Sequence, residues 1–279
     1  MKLAAEGAFP GILAPKPRER AKATVIAVAD AQEASRWLVR RLRAVGYEVS
    51  GPVSAPPVPS EIESLLLAAL GDSDLVVVAG GLGPGSAPTL RAVASALGRQ
   101  LVENEEARQL VEEYYYMLTG VPHSVPEEAR ALYMLPEHSI VLRNSRGPSP
   151  GVLLDEGDKY VICLPGDAAE ASSVVEDEAD PYIRGLLGVG LSATVHLLTR
   201  TWDQGLLERA AESISEADPS VFAEVRRMFY SREGLGVTLT VFAREPEELS
   251  SKLARAVRIA EEELARRGIE FVRKGLEEL

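Results

Sequence analysis

The chain has 279 residues, 46% of them hydrophobic and 26% charged, the composition of a soluble globular protein long enough to divide into two domains. Its 42 acidic and 30 basic side chains give a formal charge of -12, which works against non-specific contact with nucleic acid or anionic membrane. The single cysteine, Cys163, excludes an intramolecular disulfide, and no segment approaches the roughly 20 apolar residues of a membrane span.

The first residues, MKLAAEGAFPGILAPKPRERAKA, carry prolines where a signal peptide needs an unbroken apolar core. They read as a loose arm to about Lys22 of a cytoplasmic protein. From Ala23 the chain alternates strands and helices in the manner of a parallel sheet covered by helices. ATVIAVA is a β-branched strand, and Glu33 to Val45 places Trp37, Leu38, Leu42 and Val45 at helical spacing before the C-capping Gly46. YEVSGPV is the second strand, SEIESLLLAALGD a helix with Ser60 as its N-cap, and DLVVVAGG a third strand. The near-continuous Val and Leu of that third strand imply burial on both faces and a central position.

Thr89 to Leu97 and Asn104 to Leu118 read as helices, followed by a looser Pro-, Glu- and His-rich stretch to about Ser139. SIVLRN, GVLLDEG and KYVICLPG read as three more strands, and Asp167 to Leu187 as helix. Cys163 lies in the last of these strands with no basic residue adjacent, as expected of a buried thiol. Beyond Gly185 to Gly190 the order SATVHLLTR, LLERAAESI, SVFAEVRRMFY, LGVTLTVFA and PEELSSKLARAVRIAEEELARRG is βαββα, a second α+β domain of ordinary size.

The loop after the third strand, AGGLGPGS, holds four glycines and a proline within seven residues. In an open parallel sheet a loop leaving the carboxyl end of a central strand lies in the ligand crevice, and glycines let the backbone approach a ligand. Free N–H groups where the next helix begins suit a phosphate. The pattern is neither a dinucleotide fingerprint nor a Walker loop, since no Lys follows. Candidate ligand contacts are Gly80, Gly81, Gly83, Pro84, Gly85, Ser86 and Thr89; Pro165 and Gly166 of LPGD form a second turn of the same kind, with Asn144 and GPSPG between them. A purely structural turn is the alternative.

Taken together, GGLGP, ALGRQLVENEEA, LRNSRGPSPG and LPGD resemble the competence-and-damage-inducible CinA family, within the wider group of MoaB/Mog-like molybdopterin-binding domains. The resemblance covers about Lys22 to Gly190. It implies an α/β, three-layer domain with a mostly parallel sheet over 23–190, followed by a small α+β KH-type domain over 191–279. It also implies a homodimer or larger assembly, and a pocket for a phosphorylated heterocycle, a nucleotide such as ADP-ribose or a pterin. Family members of this class are associated with metal-dependent ADP-ribose pyrophosphatase activity, which needs carboxylates for a divalent ion such as Mg.

This sequence departs from the family where that chemistry resides. GGLGPTxDDxT of the family is GGLGPGSAPT here, so Ser86 and Ala87 stand in the two acidic places. GDELLxG is reduced to ADAQEAS, which keeps Asp30. Asp167 and Glu170 remain after LPG, and with Asp30 they are the candidate metal ligands; a helix start decorated with acids is the equally good alternative. The expectation is therefore a binding module with weak or no catalysis, with a pyrophosphatase or a structural protein with a closed pocket as alternatives.

His123, His138 and His196 show no metal-ligand spacing. Of the consecutive Tyr114, Tyr115 and Tyr116, at least one belongs in the core and one could stack on a ligand. In the KH-type tail the nearest candidate for a GxxG nucleic-acid clamp is REGLG, Arg232 to Gly236, between strands rather than helices, so nucleic acid is not the expected partner.

Overall fold

The computed structural model describes residues 16–122, 125–226 and 234–273. The first unit alternates β1 (Lys22–Val28), α1 (Gln32–Val45), β2 (Glu48–Ala55), α2 (Pro59–Asp72), β3 (Leu75–Ala79) and α3 (Pro88–Ala96). It continues with β4 (Leu101–Glu103), α4 (Glu105–Thr119), β5 (Met134–Pro136), β6 (Ile140–Leu142), β7 (Gly151–Asp155), β8 (Tyr160–Leu164), α5 (Ala168–Val174) and α6 (Asp180–Leu187). Six strands form one sheet in the order β2-β1-β3-β8-β7-β6. The pairs β2/β1, β1/β3 and β3/β8 are parallel, whereas β7 runs antiparallel to both β8 and β6. The sheet is thus mixed and mostly parallel.

Burial follows the sequence pattern. Every residue of β3 is buried, because α1, α5 and α6 cover one face of the sheet and α2 and α3 the other, giving three layers. Gly46 caps α1 in the left-handed region at φ 119°, a conformation that costs glycine little. Ser60 is not the N-cap of α2: Pro59 takes the first helical turn and Val58 the cap position, since proline there forfeits no intrahelical bond. The expected loose stretch before Ser139 contains β5, which pairs antiparallel with β4. The helix after LPG is interrupted by a π-helical turn at Val175–Ala179.

The described part of the N-terminal arm is not loose. Arg18 forms ion pairs with Asp74 and Asp158, and its amide donates to Leu186 O at 2.9 Å. The preceding residues of the arm, 1–15, lie outside the described residues.

The second unit runs β9 (Leu191–Thr199), α7 (Gln204–Ala217), β10 (Val221–Arg226), β11 (Gly236–Ala243), α8 (Pro246–Arg266) and β12 (Phe271–Arg273). Its sheet order is β10-β11-β9-β12, antiparallel throughout. The added β12 turns the expected βαββα into βαββαβ, the split-βαβ arrangement of ferredoxin-like units. Two strands separate α7 from α8, so among the described residues no loop joins consecutive helices as the clamp of a KH-type unit would. Arg232 and Glu233 of REGLG, and the end of the strand expected through Tyr230, lie outside the described residues.

The units share a core. Phe222 of β10 and Phe242 of β11 are 0% and 1% exposed within the first unit's apolar cluster. Between them runs Arg41 of α1, its guanidinium 5.3 Å from one ring centroid and 4.6 Å from the other and paired with Asp180 at 3.0 Å. Among the described residues no helix is long and apolar enough to cross a membrane.

Candidate functional site at the carboxyl edge of the sheet

Because β1, β3 and β8 are parallel neighbours, their carboxyl ends open on one side. Gly80 and Gly81 leave β3 at φ 92° and 69°. A Cβ on Gly80 would collide with the Val28 carbonyl and lie 2.9 Å from Ala31 Cβ, and one on Gly166 would lie 3.3 Å from Gly80 Cα. Three strand ends therefore touch backbone to backbone, and Ala31, at the start of α1, is the contact that sequence reading missed. Small size was the only signal at that position.

Thr89 is fully buried. Its hydroxyl donates to Gly80 O at 2.7 Å and its amide to Gly81 O at 3.2 Å, so it shapes the loop from inside and does not face a ligand. The start of α3 offers little to an anion, since Pro88 has no N–H and the Thr89 amide is engaged. The Gly85 amide donates to Glu128 O at 2.8 Å. Ser86 lines a separate, largely apolar cavity of about 170 Å³ with Leu90, Leu101 and Met134. Gly83 and Pro84 are exposed. The amides of Gly81, Leu82 and Gly83 have no hydrogen-bond partner among the described residues.

Asn144 is occupied with its own loop. Its Nδ2 donates to Ser149 O at 2.9 Å and to Glu170 Oε2 at 2.7 Å, while its Oδ1 accepts from the amides of Arg146 and Gly147. Ser149 in turn donates to Leu82 O at 3.3 Å, tying the GPSPG loop to the glycine loop. Beside these residues a small groove of about 90 Å³ is lined by Tyr114, Met117 and Pro148. Tyr115 packs toward Val111 and Leu132, and Tyr116 is 53% exposed, so the three tyrosines diverge as helical geometry requires.

Asp30 is exposed, and the other two candidate carboxylates are spent locally. Asp167 is the N-cap of α5, its Oδ1 accepting from the amides of Ala169 at 2.8 Å and Glu170 at 3.0 Å. Glu170 accepts from Asn144, and a Cβ on Gly147 would collide with its carboxylate. Burial pushes the Glu170 carboxyl above the ordinary carboxylate range, opposed by the Asn144 amide. Among the described residues no group of three or more acidic, His or Cys side chains is placed to hold a metal ion. Asp30, Asp167 and Glu170 thus do not fit a divalent ion, whose hard charge needs several converging oxygens.

The remaining titratable candidates play structural parts. Cys163 is 0% exposed and burial pushes its thiol up to about 12. His196 Nδ1 lies 3.1 Å from Thr238 Oγ1 across β9 and β11, and burial lowers its pKa. His138 sits in a turn at φ 60°, and His123 lies outside the described residues.

An open α/β sheet whose glycine-bearing strand ends meet at its carboxyl edge defines a protein of the class that binds ligands in that crevice. The chain belongs to the family described as "Probable molybdopterin binding domain", which matches residues 27–185. A protein of Pyrobaculum calidifontis is 35% identical over 149 residues, 53% of this chain and 56% of that one. A "Putative competence-damage inducible protein" of Acetivibrio thermocellus is 27% identical over 216 residues, 77% of this chain and 50% of its own length. The chain thus spans about half the length of these relatives. Among solved structures, the protein CinA with unknown function from Thermoplasma acidophilum superposes with a TM-score of 0.54 at 24% identity, over 59% of this chain and 99% of that one, a likeness of fold.

Proposed function

We propose that the chain binds a phosphorylated heterocycle, of nucleotide or pterin type, with its phosphate on the Gly81–Gly83 backbone, and that it hydrolyses this ligand weakly or not at all. One observation carries the reading: among the described residues three amides at the carboxyl edge lack partners, while the Asp167 and Glu170 carboxylates are committed to capping and loop closure. An oxyanion satisfies such amides, and phosphate is the anion that glycine-rich strand ends most readily admit. Family membership and the likeness to competence-damage inducible proteins agree with a ligand of this kind. A cytoplasmic, homodimeric or larger assembly belongs to the same reading. The exposed Met117 (67%) and Leu118 (68%) at the end of α4 are a surface that such an assembly would cover.

Phosphorus NMR of the purified chain with ADP-ribose, with and without Mg, tests this. Broadened or shifted resonances with intact ligand are the expected result. Metal-dependent release of AMP and ribose 5-phosphate would make the chain a pyrophosphatase, and a spectrum identical to that of free ligand would exclude this nucleotide. Gly83→Val is the matched control. Gly83 lies outside the left-handed region and a Cβ there meets nothing within 4 Å, so the fold persists while a bulky side chain blocks approach to the amides. Unchanged affinity in that variant would remove the glycine loop from the site.

A further inference from the structure

The apolar cavity beside Ser86, about 170 Å³ in volume, lies between the end of the glycine loop, the start of α3 and the β4–β5 ribbon. Ala87, Leu90, Leu101, Ala131 and Met134 make its wall largely apolar. Native interiors close over gaps larger than a water molecule, so a hollow of this size needs a cause, and here the backbone supplies one. Gly85 is held by its amide on Glu128 O at 2.8 Å, and Thr89 by its hydroxyl on Gly80 O and its amide on Gly81 O. Between those anchors Ala87 stands in the left-handed region at φ 39° without being glycine. Such backbone persists only where its surroundings impose it, and it clusters at ligand clamps. The loop is therefore pinned as a wall and does not collapse onto Leu90.

One charge enters this wall. Arg91 lines the cavity and is exposed, and its guanidinium has no partner among the described residues, although acids outnumber bases 42 to 30 in the chain. Among the described lining residues no acidic side chain stands with it. A cation would be repelled there. A neutral apolar body would cover the guanidinium without giving it an acceptor. A small inorganic anion would satisfy Arg91 but leave the apolar wall in water. An apolar body ending in a carboxylate meets both, since the two oxygens match the guanidinium fork and the single charge balances one Arg. An apolar cavity of about 150 Å³ is enough for benzene, which sets the size of that body.

We infer that this cavity is a site for a small ring-bearing carboxylic acid, its ring against Leu90, Leu101 and Met134 and its carboxylate on Arg91. The site needs no phosphate and does not use the Gly81–Gly83 amides, so it and the cradle stand or fall separately. Saturation-transfer NMR and calorimetric titration of the full chain with benzoate test it, with benzamide as the uncharged isostere and acetate as the head without the ring. Benzoate is expected to bind, benzamide to bind at least about tenfold more weakly, and acetate to give no measurable binding. Arg91→Met keeps the stem of the side chain and should weaken benzoate about tenfold with benzamide unchanged. Ala131→Leu fills the hollow and should abolish binding of both rings. Melting curves verify that each variant is folded. Absence of benzoate binding, benzamide binding as tightly as benzoate, or a benzoate affinity unchanged in either folded variant would overturn the site. So would loss of benzoate binding in Gly83→Val with both cavity variants unaffected, which would seat the carboxylate on the glycine loop instead.

Discussion

At the scale of single residues, the glycines of AGGLGPGS have different jobs. Gly80 and Gly81 sit at positive φ with the Val28 carbonyl and the Thr89 hydroxyl where a Cβ would go. Gly80→Ala and Gly81→Ala should each cost at least about 1–3 kcal/mol through strain alone, read by urea unfolding, whereas Gly83→Val should leave stability unchanged. The sequence marked all of these glycines alike, because a one-letter pattern does not distinguish a glycine packed on backbone from one facing solvent. It likewise offered Thr89 as a ligand contact, and only the fold turns its hydroxyl onto Gly80 O. Glu170 adds a pH signature. Its folded-state pKa is raised by burial, so the native state takes up the proton more readily than the unfolded chain. Its contribution to stability therefore grows as pH falls through the carboxylate range and is lost as pH rises above the folded pKa. Glu170→Gln retains an acceptor for Asn144 and should flatten that dependence; unfolding curves of parent and variant at neutral and mildly acid pH would give parallel profiles if Glu170 were not responsible.

At the scale of elements, α5 tests what its acids are for. Asp167 caps the helix through two amides, so Asp167→Ala should lower stability by about 1 kcal/mol with or without Mg. A loss of stability that appears only in the presence of Mg would point instead to a ligand of that ion. The long, strongly periodic elements were legible in sequence: α1 from its apolar spacing and terminal glycine, β3 from its unbroken aliphatic run. Among the three-residue strands only β6 was, from the aliphatic run in SIVLRN. β4, β5 and β12 have three residues each and no such flanking pattern to mark them, and they exist because a neighbouring strand supplies the hydrogen bonds. The antiparallel direction of β7 was equally hidden, since direction depends on how the chain returns and not on the residues within the strand.

At the scale of the whole molecule, the second unit completes the first. Phe242→Ala should cost about 3–5 kcal/mol and lower one shared melting transition, because this side chain fills the first unit's core and packs on Arg41. Two separate transitions in calorimetry, with only one of them shifted, would show that the units fold independently. What the sequence determined by itself was the local chemistry: alternating strands and helices, a glycine-rich exit from a buried central strand, and the absence of the family's acid pair. These depend on near neighbours in the chain, and periodicity and turn residues record them. Only the tertiary structure decided which polar groups remain available. Asn144, Asp167 and Glu170 spend their hydrogen bonds on partners fixed by packing, and a charged cavity arises where α1 meets α7, from side chains more than 150 residues apart in the chain. Such contacts follow from how the layers close, which no local pattern encodes.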